Sequence, residues 1–316
     1  MSPRVLVTRQ LPEGGLDPLV HAGHELITRL DDTPYTHDEL VEHVPAVDAV
    51  VCLLTDRIDD AVLRAGADGS LRVVANVAVG YDNIDIEAAR RLDVAVCNTP
   101  GVLDETTADL AFALMLAASR LASEAERDLR AGSWNGWGVT QYLGQDVHGA
   151  TLGLVGYGRI AQAVARRAAG FGMQVLHHAR NDTDVPGYMA SLDDLLGRSD
   201  IVSLHVPLHP GTRHMIGAKQ LAIMGPHAVL VNTARGPVVD EVALAEALHC
   251  GTIFAAGLDV YEDEPRIHPR LLEAPRTVLL PHIGSASIAT RTRMARVASE
   301  GVCDVLAGRT PPNLVS

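Results

Sequence analysis

The sequence predicts an α/β protein built from two parallel-sheet domains. Three observations point there. Short β-branched runs alternate with stretches long enough for helices, the pattern of βαβ units. The alternation occurs twice, once over the first hundred residues and again from 151 to 283. A chain of 316 residues, 47 % apolar, also suffices for two cores of ordinary size.

In the first run, RVLVT (4–8), DAVVCLL (48–54), LRVVANV (71–77) and VAVCNTP (94–100) read as strands with helices between them. Residues 102 to about 130 read as one long helix, rich in Ala and Leu, with acids in its first turn and a stop at Gly132. GSWNGWGVTQYLGQDVHGA follows, glycine-rich and holding both tryptophans, and reads as an exposed arm. The second run supplies TLGLVG, MQVLHHA, DIVSLHVP, AVLVNTA, FAAGLDV and TVLLPHI as strands. A last helical stretch, SASIATRTRMARVASEGVCDVLAGR, is expected to pack back on the first domain. The expected division is 1–100 with 284–316 as a substrate-binding domain and 101–283 as an inserted NAD(P)-binding domain. Both are Rossmann-like, the first flavodoxin-like and the second dinucleotide-binding, with a cleft between them.

The net charge of −13 argues against nucleic acid and against an anionic membrane surface. The four cysteines are scattered without a C-x-x-C pair and read as free thiols in a reducing compartment. The amino-terminal stretch has no long apolar segment, and no apolar run approaches the ~18 residues that span a bilayer. A cytoplasmic protein without a metal site is the expectation.

Gly156-x-Gly158-x-x-Ala161 lies between an apolar strand and an apolar-faced helix. The first glycine allows a tight turn, the second lets a pyrophosphate approach the backbone, and a small third residue lets helix and strand pack. The amides of Arg159 and Ile160 open the helix and suit phosphate. At the end of the next strand, where NAD-binding proteins place an acid for the ribose, stands Ala179, with Arg180 after it. Losing the acid and gaining a guanidinium favours the 2′-phosphate of NADP(H), with His177 and His178 as further donors. NAD(H) is the alternative, with Asp182 or Asp184 replacing the missing acid.

In a doubly wound sheet, ligands sit outside the carboxyl ends of the strands. Three successive strands end in VNTARG, GLDVYEDEP and PHIGSA, and deliver Arg235, Asp259 with Glu264, and His282. A guanidinium grips a carboxylate with two hydrogen bonds. An imidazolium held by a carboxylate can give its proton to a carbonyl oxygen. Asp259 is placed to accept from a nicotinamide carboxamide.

NVAVGYDNID (76–85), GLVGYGRI (153–160), VNTARGPVVDEVALAEAL (231–248), GLDVYEDEP (257–265) and PHIGSA (281–286) together resemble the D-isomer-specific 2-hydroxyacid dehydrogenases, over essentially the whole chain. The resemblance is strongest to the glyoxylate/hydroxypyruvate reductase branch. It implies a catalytic trio of Arg235, Glu264 and His282. It implies that amides of Val79 and Gly80, with Ala78 as a third candidate, hold the substrate carboxylate, and that Leu53 lines the same pocket. For the cofactor it implies Thr107, Arg159 and Ile160 near the phosphates, and Val206, Pro207 and Thr212 along the adenosine side. Thr233, Asp259, His282 and Gly284 would surround the nicotinamide. Members are usually dimers, which would place Trp134 and Trp137 at the interface; Trp137 then either reaches the partner's active site or simply packs the arm. The implied reaction is NADPH-dependent reduction of glyoxylate or hydroxypyruvate to the D-2-hydroxy acid, with His282 as proton donor. Oxidation of another 2-hydroxy acid or of phosphite with NAD, and a non-catalytic corepressor-like role, are the alternatives.

Overall fold

A computed structural model describes residues 2–29 and 31–315. The chain forms two compact units, Met1–Leu103 with Ser285–Ser316, and Asp104–Gly284.

The first unit holds a five-stranded parallel sheet: β1 Arg4–Val7, β2 Glu25–Thr28, β3 Ala49–Cys52, β4 Val73–Asn76 and β5 Ala95–Cys97, in the order β2-β1-β3-β4-β5. That is the flavodoxin-like doubly wound order. Helices α1 Asp17–His21, α2 His37–His43, α3 Asp60–Ala67 and α4 Ile86–Arg91 fill the crossovers. The capping box that starts α2 is local chemistry: the Glu39 amide donates to Thr36 Oγ1 while the Thr36 amide donates to the Glu39 carboxylate. β3 and β4 are buried throughout, so they read as continuous apolar runs. β2 was not expected. ELIT is a half-exposed edge strand bearing a glutamate, and the apolar run that marks a central strand is missing from it. The last helix, Ile288–Leu306, packs on β3, β4 and β5 and on α1. Ala295, Ala298 and Ser299 line its buried face, and the Ser299 hydroxyl donates to the Gly15 carbonyl.

In the second unit, α5 Asp104–Ser119 and α6 Ala122–Arg130 precede the sheet. The single helix expected over 102–130 is therefore two. The break is at Leu121, in the left-handed region with φ +52°. Its cause is tertiary: the chain returns at Gly144, where a Cβ would lie 2.2 Å from the Ser119 carbonyl oxygen, and the Gln145 amide donates to that oxygen. The sheet is parallel and six-stranded: β6 Thr151–Val155, β7 Gln174–His178, β8 Ile201–Leu204, β9 Val229–Asn232, β10 Ala255–Leu258 and β11 Thr277–Leu279, ordered β11-β10-β9-β8-β6-β7. Beyond β7 a single residue, Tyr188, bridges to His177 where a further strand would lie. The direction of winding reverses between β6 and β8, the crevice where such sheets bind nucleotides. α7 Arg159–Gly170 follows β6. α5 lies directly on β10 because residue 257 is glycine: a Cβ there would stand 3.0 Å from the Leu114 Cβ. Among the described residues no helix is long and apolar enough to cross a membrane.

Candidate active site

The glycine turn is built as close packing requires. Gly156 has φ +90°, and a Cβ on it would lie 2.5 Å from the His205 carbonyl oxygen and 3.0 Å from a Val206 methyl. Only glycine lets β6 turn beside the end of β8. Gly158 is extended and faces open space, Ala161 is fully buried, and no side chain caps the first turn of α7. The opening amides of α7, around Arg159 and Ile160, are thus an anion seat. Val206 and Pro207 continue from β8 beside this turn. Thr212 is buried and its hydroxyl donates to the Pro207 carbonyl at 2.7 Å, so it shapes the 207–212 loop.

After β7 the picture is mixed. Arg180 is exposed and, among the described residues, has no hydrogen-bond or ion-pair partner. Asp182 accepts from the Asp184 amide at 3.0 Å, which bends the loop. His177 does not offer a donor to a ligand, contrary to expectation. It is fully buried, its ring stacks on Tyr157 at 3.9 Å, and its Nε2 lies 2.6 Å from Thr183 Oγ1. Burial lowers its pKa against the opposing pull of Asp182. His178 spends Nδ1 on the Met189 carbonyl, 2.9 Å away. Successive residues of a strand face opposite sides of the sheet, so the His-His pair could not present both rings to one ligand.

At the carboxyl ends of β9, β10 and β11 the structure gathers four of the expected residues. Asp259 is buried at the end of β10 and accepts from the amides of Ile283 and Gly284, each at 2.7 Å. Its carboxylate thus fastens the loop after β11 to β10. In that loop His282 sits in the left-handed region at φ +54°, an uncommon conformation for a non-glycine residue. Its Nδ1 lies 2.8 Å from Glu264 Oε2, and the other oxygen of Glu264 accepts from the Tyr261 amide at 3.0 Å. The Tyr261 hydroxyl in turn donates to the Leu280 carbonyl at 2.9 Å. Nε2 of His282 has no partner among the described residues, and the side chain is about a quarter exposed. Burial pushes the Glu264 carboxyl up. The hydrogen bond and charge of His282, the Tyr261 amide and the charge of Arg235 outweigh it and hold the group below the ordinary carboxylate range. Burial raises Asp259 despite its two amides and His282.

Arg235 enters through a turn set by residues that sequence reading passed over. The buried Asn232 side chain accepts from the Ala234 amide and donates to the Arg235 carbonyl, both at 3.0 Å. Gly236 presses on the loop that carries Glu264: a Cβ there would lie 1.9 Å from the Tyr261 carbonyl group. The glycine of VNTARG was the available signal. Gly284 lies against Asp259 and Thr107, so Thr107 stands beside the loop after β11. Thr233 Oγ1 is buried with no hydrogen-bond partner among the described residues. That orphan hydroxyl, the uncapped α7 and the two-glycine cradle all fit a dinucleotide. In the first unit, Leu53 follows β3 while Val79 and Gly80 follow β4, at the carboxyl edge of their own sheet.

A family model for the D-isomer specific 2-hydroxyacid dehydrogenase, NAD binding domain, matches residues 112–284. The chain is 44 % identical to a glyoxylate reductase of Thermococcus litoralis, covering all of this chain and 97 % of that protein. The chain belongs to the D-isomer specific 2-hydroxyacid dehydrogenases. A glyoxylate reductase of Korarchaeum cryptofilum is 49 % identical, with 100 % of this chain and 96 % of that protein covered. Among solved structures, a Thermus thermophilus protein superposes with a TM-score of 0.92 at 46 % identity, over 99 % of this chain and 100 % of the other. The NADPH-dependent glyoxylate/hydroxypyruvate reductase of Sinorhizobium meliloti, solved with NADP and malonate, gives 0.87 at 33 % identity, over 100 % and 97 %. This D-2-hydroxyacid dehydrogenase is accordingly an oxidoreductase with an NAD(P)-binding domain.

Proposed function

We propose that the enzyme reduces a small 2-oxo acid with NADPH, glyoxylate to glycolate or hydroxypyruvate to D-glycerate, and that Arg235, Glu264 and His282 carry the chemistry. The observation behind this reading is the Glu264–His282 hydrogen bond at 2.8 Å, which engages Nδ1 and leaves Nε2 open. The reduced nicotinamide supplies the hydride when bound. His282 delivers the proton from Nε2 to the carbonyl oxygen, and Glu264 stabilises and orients the imidazolium. Arg235 grips the substrate carboxylate and polarises the carbonyl. Amides of Val79 and Gly80 take the other side of that carboxylate, and Leu53 lines the pocket. Asp259 fixes the loop that bears His282. Its remaining lone pairs can accept from the carboxamide, and the orphan Thr233 hydroxyl can donate to it.

NADPH is favoured over NADH because position 179 lacks an acid and the Arg180 guanidinium is unengaged. The Sinorhizobium meliloti relative is NADPH-dependent, and the archaeal relatives are glyoxylate reductases. Trp134, Trp137, Val139 and Leu143 expose an apolar arm, and Trp137 is 83 % exposed. This supports a homodimer whose arm carries Trp137 to the partner's active site. The four free thiols suit a cytoplasmic setting.

Steady-state kinetics on a panel of 2-oxo acids with both cofactors tests the reading. His282→Ala should lower kcat by about two to four decades while NADPH binding, measured by fluorescence, is retained. Near-normal turnover in that variant would refute the assigned roles.

A further inference from the structure

After β4, three successive carbonyls point into the first unit. The Ala78 oxygen accepts from the Thr99 amide at 2.9 Å, the Val79 oxygen from Asn98 Nδ2 at 2.8 Å and the Gly80 oxygen from Asn76 Nδ2 at 2.8 Å. A trans peptide sets its N–H opposite its C=O. Anchoring these three oxygens inward therefore turns the amides of Val79, Gly80 and Tyr81 outward. Among the described residues none of those amides has an acceptor within the chain. Burial follows the same sense, from buried Val77 and Ala78 through half-buried Val79 and Gly80 to exposed Tyr81.

The anchors are themselves fixed. Asn76 is fully buried at the end of β4, and Asn98 is buried just after β5. Asn83 accepts from Asn76 Nδ2 at 3.1 Å and donates to the carbonyls of Leu53 and Asp56 at 3.1 and 3.0 Å. The Leu53 amide donates to the buried Asp56 carboxylate at 2.8 Å. The loops after β3 and β4 are thus wired together through side-chain amides. Only a neutral donor fits under a carbonyl here. An aspartate would set negative charge against the oxygen, and an apolar residue would leave it buried and unpaired, a penalty a peptide flip would relieve by turning an amide inward.

We propose that Asn76 and Asn98 are positioning residues for the substrate carboxylate, and that the Tyr81 amide joins those of Val79 and Gly80 in holding it. This rests on the reading that these loops bind the carboxylate. It replaces Ala78, whose amide belongs to a peptide outside the anchored set, with Tyr81.

The test uses the full-length enzyme, with glyoxylate as substrate and oxamate as competitive inhibitor. Asn98→Ala and Asn76→Ala should each raise the glyoxylate KM and the oxamate Ki by about tenfold or more, the worth of one hydrogen bond to a charged group. The NADPH KM should stay within roughly twofold and kcat should fall less than KM rises. Tyr81→Pro deletes the amide at an exposed position. Its glyoxylate KM should exceed that of Tyr81→Ala by about tenfold, which carries the test if an asparagine variant does not fold. Unchanged KM and Ki in the folded variants overturn the inference. So does joint loss of NADPH affinity and melting temperature, because the role is then merely structural. Failure of the unmodified enzyme to turn over any 2-oxo acid, with no inhibition by oxamate, would instead sink the underlying functional reading.

Discussion

Glu264 ties two contacts to one side chain, one through each oxygen. One takes the Tyr261 amide, the other His282 Nδ1. A carboxylate held below its ordinary range contributes its stabilisation above its unfolded pKa and loses it as pH falls through the depressed value. The Glu264–His282 pair should therefore survive into mildly acidic solution, and kcat with saturating 2-oxo acid should hold there. Glu264→Gln keeps the shape and removes the charge. It should cost roughly tenfold to a hundredfold in kcat across neutral pH, since a hydrogen bond to a charged group is worth about 1.5–3 kcal/mol. A pH–rate profile of both proteins checks this. Glu264 and His282 could be singled out in the sequence because each lies in a distinctive motif that follows an apolar strand, β10 for Glu264 and β11 for His282. His177 was misread for the opposite reason: its neighbours make it look like a ligand donor, and only the facing of β7 shows that it packs on Tyr157. Asn232, Asn76 and Asn98 look like ordinary polar ends of apolar strand runs until their carbonyl partners are known.

At the scale of elements, ten of the eleven strands among the described residues were visible as apolar runs, while β2 and the break after α5 were not. An edge strand needs only one buried face, and the break depends on a distant glycine, Gly144, pressing on Ser119. Neither leaves a local trace. β8 carries a measurable consequence of its own. His205 follows it, hydrogen-bonds Ser203 Oγ at 2.9 Å and backs the Gly156 turn. Part of the residue reaches solvent, but the imidazole is desolvated, and burial pushes its pKa down to about 4. The unfolded chain, at about 6.5, then binds the proton first, so stability falls as pH drops from about 6.5 to about 4. The loss is on the order of 3 kcal/mol when complete. Urea denaturation between those limits should show this slope in the unmodified enzyme, and His205→Gln should flatten it.

For the molecule as a whole, cofactor choice is set against its own field. A chain of net charge −13 repels a ligand that brings a further phosphate, so local cations must compensate. Arg180 is the residue assigned that task. Arg180→Ala should reduce the ratio of kcat/KM for NADPH to that for NADH by about one to two decades, the worth of a charge-assisted contact. The effect should shrink as salt rises. An unmodified enzyme that prefers NADH would reject the assignment directly.

The Ser119–Gln145 hydrogen bond has a reach beyond the helix it ends. It makes the intervening segment, α6 and the arm after it, an excursion whose two ends are pinned at one root on the scaffold. The arm beyond α6 is a detachable module: its length and composition can drift, and with them the company the enzyme keeps, while α6 stays fastened ahead of β11 by the Arg276 amide on Glu124.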